Sequence, residues 1–136
     1  TIDGAIKRKR SDPTTYEIES SGRAAQTRYK VMNQGPYISA VSFFPKTGRT
    51  HQIRVHSASI NHPIIGDGKY GGGANRARGF IPEVTNLLRQ IINKLGRHAL
   101  HAKQITFDHP LTQLTTTIEA PIPKDISSIQ VDKMHG

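Results

Sequence analysis

The stretch that says most about this chain is TGRTHQIRVH, residues 47–56. It places two arginines, two histidines, a glutamine and two threonines around one predicted strand-to-helix turn. A second turn, HPIIGDGKYG at residues 62–71, follows shortly after and contributes one aspartate, Asp67. So many hydrogen-bond donors at one turn suit two tasks: binding a polyanion, or holding a carboxylate inside a site.

On either side of this stretch, the apolar pattern predicts an α+β fold with a largely antiparallel sheet and short helices. We predict strands at 14–19, 26–32, 37–44, 98–107 and 114–120, and helices at 50–60 and 82–95. Thr47 or Thr50 is expected to cap the first helix, and Pro63 to follow its end. Gly96 is expected to stop the second helix, whose apolar residues recur at helical spacing.

The length of 136 residues fits one domain. We divide the chain into a basic N-terminal segment (1–13), a sheet-and-helix core (14–120) and a C-terminal tail (121–136). The run KRKR at residues 7–10 has two interpretations, an arm that touches phosphates or a solvated edge strand.

Charge is unevenly distributed along the chain. Residues 1–103 hold 17 Lys and Arg against 6 Asp and Glu, whereas residues 104–136 hold 2 against 4. This asymmetry predicts a basic face whose natural partner is RNA or DNA. The chain has no cysteine, which excludes disulfides and thiolate metal sites. No apolar run reaches membrane-spanning length and no signal-peptide pattern opens the chain, so we expect a cytoplasmic protein with no membrane partner.

The polar residues of the two turns each allow more than one role. A partly buried Arg49 or Arg54 beside a carboxylate would keep that acid ionised, although both could equally be surface arginines. His51 and His56 are five residues apart, not at the usual metal-binding spacing, and we expect no metal site. They are expected to bond backbone or phosphate. Asp67, between two glycines, is expected mainly to organise its turn.

These motifs resemble the RluA-type RNA pseudouridine synthases, which isomerise uridine in RNA. The resemblance runs from about residue 22 to residue 120 and rests on five blocks in the family's order. They are GRAAQT (22–27), TGRTHQIRVH (47–56), HPI with GD and YG (62–71), LHA (100–102) and HP (109–110). The pattern is most similar to the branch that modifies large-subunit ribosomal RNA.

The resemblance implies a mechanism that needs neither cofactor nor metal. The target uridine is flipped out of its stack, and a catalytic aspartate promotes breakage of the glycosidic bond. The uracil then rotates and rejoins the ribose through carbon. Arg54 matches the arginine that pairs with this aspartate, and Leu100 matches a residue that packs near the base. The expected RNA-binding or site-shaping residues are Arg49, Thr50, His51, Gln52, His56, Leu100 and His101.

One part of the family pattern is missing. The family's aspartate lies in an H-R-L-D-x-x-T-S-G segment, and these 136 residues contain neither that segment nor the tyrosine that stacks on the base. We therefore expect the C-terminal half of a pseudouridine synthase catalytic domain, a single partial domain that is inactive alone. Two alternatives stay open: a non-catalytic RNA-binding module derived from the same fold, and a small metal-dependent hydrolase using His51, His56 and Asp67.

Overall fold

The computed structural model describes residues 1–131 and forms an α+β fold. Its strands are β1 (Ile2–Asp3), β2 (Ile6–Arg8), β3 (Tyr16–Ile18), β4 (Gln26–Gln34), β5 (Ser39–Pro45), β6 (Gln104–Asp108) and β7 (Thr115–Glu119). Its helices are α1 (Gln52–Ser59), α2 (Pro82–Leu95) and α3 (Lys124–Ser127), with short 3-10 turns at Gly68–Tyr70 and Ala74–Gly79. Every strand pairing within residues 1–131 is antiparallel. The predicted fold class is confirmed.

The largest sheet has the order β1-β4-β5 and positions α1. β4 lies in the middle, with Thr27 opposite Ile2 of β1 on one side and opposite Pro45 of β5 on the other. Thr27 is fully buried and its hydroxyl bonds side chains of α1. The hairpins β2-β3 and β6-β7 form separate two-stranded sheets.

The ends of α2 were predicted correctly, whereas the start of α1 was not. α2 has the predicted bounds, and Gly96 ends it at φ 66° with its N–H bonded to the carbonyl of Ile92. The predicted cap of α1 by Thr47 or Thr50 is wrong, because the helix begins after His51, at φ 55°, with no side-chain cap. The side chain of Gln52 instead folds back and accepts the N–H of Arg49 at 3.0 Å.

The strand predicted at 98–107 is wrong over its first six residues, since β6 begins only at Gln104. The preceding segment does not pair in a sheet. Its backbone instead contacts the second turn of the sequence, residues 62–71. The N–H of Ala99 bonds the carbonyl of Ile65 at 2.9 Å. Gly66 has φ 84°, and a Cβ there would clash with the carbonyl oxygen of Arg97.

Within residues 1–131, six of the buried apolar residues form two small clusters. One joins Ala77 to Val84 and Leu88 of α2, and the other joins Ile6, Ala25 and Val55. The β6-β7 hairpin is exposed at every strand residue except Thr116. Residues 121–131, expected as part of a tail, include α3, and residues 132–136 of that tail lie outside the described part. No described helix is long and apolar enough to cross a membrane.

Candidate active site

The turn that leads into α1 is built around Gln52, which is 4% exposed. Its Oε1 accepts the Thr47 hydroxyl at 2.7 Å and the Arg49 N–H at 3.0 Å. Its Nε2 donates to the Gln26 carbonyl at 3.0 Å and to Thr27 Oγ1 at 2.9 Å. A buried polar group left without its partner costs about 1–3 kcal/mol, so this one amide ties the turn firmly to β4.

His56 continues this network into the interior and is fully buried. Its Nε2 lies 2.9 Å from the carbonyl oxygen of Gly4, which can only accept, so Nε2 carries the proton. Nδ1 therefore accepts the Thr27 hydroxyl at 2.8 Å. Both ring nitrogens are used within the fold. His56 thus fixes α1 against β4 and against Gly4, which follows β1, and it has no nitrogen left for RNA or a metal.

Arg54, in the first turn of α1, forms a two-point ion pair with Asp67. Its Nε and Nη2 each donate to one carboxylate oxygen at 2.9 Å. The arginine side chain is 14% exposed and the aspartate side chain 1%. The hydrogen bonds that Arg54 donates to the Asp67 carboxylate raise the pKa of Arg54 further above its usual range. The guanidinium therefore keeps its charge throughout the pH range in which proteins are folded.

The pair leaves one side of the guanidinium unused. Nη1 of Arg54 has no hydrogen-bond partner within residues 1–131. No fully buried side-chain nitrogen or oxygen in that range lacks a partner, so Nη1 reaches the surface. An incoming carboxylate could bond there and would be held ionised by the positive charge. Asp67, in contrast, has both oxygens committed to the arginine.

The ring of Tyr70 packs against the guanidinium of Arg54. Its ring centroid lies 4.9 Å from the guanidinium carbon, within the range of a cation–π contact. Its hydroxyl accepts the backbone N–H of Tyr16 at 3.0 Å and lies 2.7 Å from Nδ1 of His51. Burial, and then the positive charges of Arg54 and Lys69, lower the pKa of His51. The imidazole is therefore neutral at neutral pH, and we assign the Tyr70 hydroxyl proton to the bond with Nδ1.

The comparisons with known proteins agree with one another. A family model described as RNA pseudouridylate synthase matches residues 1–59. An uncharacterized RNA pseudouridine synthase of Bacillus subtilis is 39% identical over 95% of this chain and 37% of its own length. Ribosomal large subunit pseudouridine synthase D of Salmonella typhimurium is 35% identical over 100% of this chain and 40% of its own.

Structure comparison gives the same assignment. The solved structure of human RNA pseudouridylate synthase domain containing 1 matches with a TM-score of 0.66 and 28% identity, over 88% of this chain and 46% of that one. The chain is homologous to RNA pseudouridine synthases over most of its own length. It spans about two fifths of the length of the curated relatives it matches.

The other predicted site residues differ in burial and in their hydrogen-bond partners. Arg49 is half-buried and its Nε donates to the carbonyl of Ala24 at 2.9 Å. Thr50 is exposed at the turn. Leu100 is half-buried in the irregular segment before β6, and no hydrogen bond or ring contact joins it to Arg54 within residues 1–131. His101 bonds the carbonyl of Ala120 at 3.0 Å and so fastens the end of the β6-β7 hairpin.

Two members of the site were not among the predicted site residues. Asp67 was expected mainly to organise its turn and was considered for catalysis only in the hydrolase alternative, and Tyr70 was named only as part of a motif. The signal was present in the GDGKYG stretch, because this turn places a carboxylate and a ring three residues apart. No cluster of three or more His, Asp or Glu side chains that could hold a metal ion occurs in residues 1–131.

Proposed function

We propose that this chain supplies the arginine side of an RNA pseudouridine synthase active site. The observation that carries the proposal is Arg54, fixed by Asp67 on one edge and open at Nη1 on the other. It lies in the TGRTHQIRVH stretch, within the residues 1–59 that match the RNA pseudouridylate synthase family model. In this proposal the open edge receives the carboxylate of the catalytic aspartate, which comes from outside these 136 residues.

The reaction is an isomerisation. The bond between uracil N1 and ribose C1′ breaks, and a bond between C5 and C1′ forms. The C5 hydrogen leaves to solvent as a proton, and N1 takes up a proton, so no atom is gained or lost overall. A carboxylate must be ionised to promote the first step. The positive charge of Arg54 favours that ionised form and fixes its direction, because opposite charges at hydrogen-bonding distance stabilise the anion.

The proposed substrate is RNA, and more specifically large-subunit ribosomal RNA modified in the cytoplasm. The net charge of +9 supports a polyanionic substrate. The finer choice is supported by relatives whose names specify the ribosomal large subunit, including those of Xylella fastidiosa and Vibrio cholerae. Lys9 and Arg10, exposed beyond β2, suit contacts with the RNA backbone.

A second candidate is an RNA-binding module that does no chemistry. It is supported by the net charge of +9, which suits RNA binding with or without catalysis. The hydrolase alternative has no such support, because His56 and Asp67 have their polar atoms occupied within the fold.

The complete gene product that contains this chain provides the test. It is incubated with large-subunit ribosomal RNA transcribed with [5-³H]uridine, because replacement of the C5 hydrogen releases tritium to water. We expect tritium release on large-subunit RNA and much less on a small-subunit transcript of similar length. Tight RNA binding without release would favour the binding module instead. Equal release on both RNAs would keep the reaction and overturn the substrate choice.

A further inference from the structure

We infer that Asp67 is a positioning residue, which sets the direction of Arg54 so that its free edge meets the catalytic carboxylate. This inference rests on the proposed function. Asp67 does not face the reacting atoms, since its side chain is 1% exposed and both oxygens bond the guanidinium. It acts through Arg54. It accepts hydrogen bonds from Nε and Nη2, which leaves Nη1 for the catalytic carboxylate.

The aspartate is itself held rigidly. Its backbone N–H donates to the carbonyl of Ile64 at 3.0 Å, and its carbonyl accepts the N–H groups of Tyr70 at 3.2 Å and Gly72 at 2.8 Å. The turn is closed by a further bond, 2.8 Å long, from the N–H of Gly66 to the carbonyl of Gly72. A Cβ at Gly72 would clash with the carbonyl oxygen of Ile64. The carboxylate is thus presented from a backbone that has little freedom to move.

Arg54 would lack a fixed direction without this support. An arginine side chain has several rotatable bonds, and ordering it costs conformational entropy. In this fold the cost is met before RNA binds, because the carboxylate fixes the plane of the guanidinium and the Tyr70 ring supports its face. Such preorganisation is a recurrent requirement of catalytic sites.

The chain offers an internal comparison for the same chemistry. Arg97 and Asp125 form the same two-point pair, with Nε to Oδ2 at 3.2 Å and Nη2 to Oδ1 at 3.1 Å. Both side chains of that pair are 40% exposed, and it joins α3 to the segment after α2. The charges of the Arg97–Asp125 pair are therefore screened by solvent, whereas those of the Arg54–Asp67 pair are mostly buried.

The experiment uses Asp67→Asn and Asp67→Glu in the complete gene product, with Asp125→Asn as the matched control. Asn keeps the size but removes the charge, whereas Glu keeps the charge but pushes the guanidinium away. We expect kcat to fall about 100-fold in both Asp67 variants. In Asp67→Glu the guanidinium is displaced, and a displacement of about 1 Å can cost that much; in Asp67→Asn it loses the two charge-assisted hydrogen bonds that fix its direction. KM and RNA affinity should change less than about threefold. The control should keep its kcat.

Melting curves separate positioning from folding, and kcat is expressed per folded molecule. A purely structural Asp67 would leave the kcat of folded Asp67→Glu close to wild type, and that result would overturn the inference while the proposed function stands. A matching fall in the Asp125→Asn control would also overturn it. If the wild-type protein forms no pseudouridine, the proposed function fails, and the inference fails with it.

Discussion

Replacing Arg54 by alanine in the complete gene product is expected to lower kcat for pseudouridine formation by about 10³-fold or more. Loss of one preorganised charged donor in a water-poor site typically costs 10²–10³ in rate, and here the catalytic aspartate would also lose its only proposed counter-charge. The dissociation constant for RNA should change by less than about threefold, because the Arg54 side chain is only 14% exposed and is already paired with Asp67. Single-turnover tritium release and filter binding measure the two quantities separately.

Arg89→Ala is the control for this substitution. Arg89 lies on the exposed side of α2, and its loss removes the same formal charge without touching the Arg54–Asp67 pair. We expect it to keep kcat and to weaken RNA binding slightly at most. An Arg54→Ala variant that binds RNA poorly yet turns over normally would contradict the assignment of Arg54 to the aspartate and would place it among the phosphate contacts.

The purified 136-residue chain is expected to form no pseudouridine. Its aspartates all lie outside an H-R-L-D-x-x-T-S-G segment, and Asp67, next to Arg54, has both carboxylate oxygens committed. The measurement is tritium release at enzyme-to-RNA ratios above one, which would detect even a single slow turnover. RNA binding by the same preparation serves as the control for a folded chain. Tritium release by this chain would require a catalytic carboxylate within it, with Asp67 the first candidate to replace.

The helix α2 was predictable from sequence because its signals are local. Apolar residues at helical spacing fix its buried side, and Gly96 adopts the left-handed conformation that ends it. The start of α1 was not predictable in the same way. The turn that leads into it is closed by the side chain of Gln52, which also bonds residues of β4 that lie 25 and 26 positions earlier.

The candidate site, too, was predictable only where its signals are local in the sequence. Sequence motifs drew attention to Arg54 and to the glycine turn that holds Asp67, but not to the bond between them. That bond depends on the turn being seated against the backbone of residues 97–99, which looked like part of a strand. The contact of Tyr70 with the N–H of Tyr16 spans 54 positions. Such pairings are set by tertiary packing, and one sequence carries no local signal for them.

The most direct test of the proposal that Arg54 bonds both Asp67 and the catalytic aspartate is a crystal structure. It would contain the complete gene product bound to RNA that carries 5-fluorouridine at the target position. The distance to measure joins Nη1 of Arg54 to the nearest carboxylate oxygen that does not belong to Asp67. We expect about 2.7–2.9 Å, the usual length of a charge-assisted hydrogen bond, with the Asp67 pair intact. An Nη1 that faces only solvent or a phosphate, with every other carboxylate beyond about 4 Å, would contradict the proposed role of Arg54.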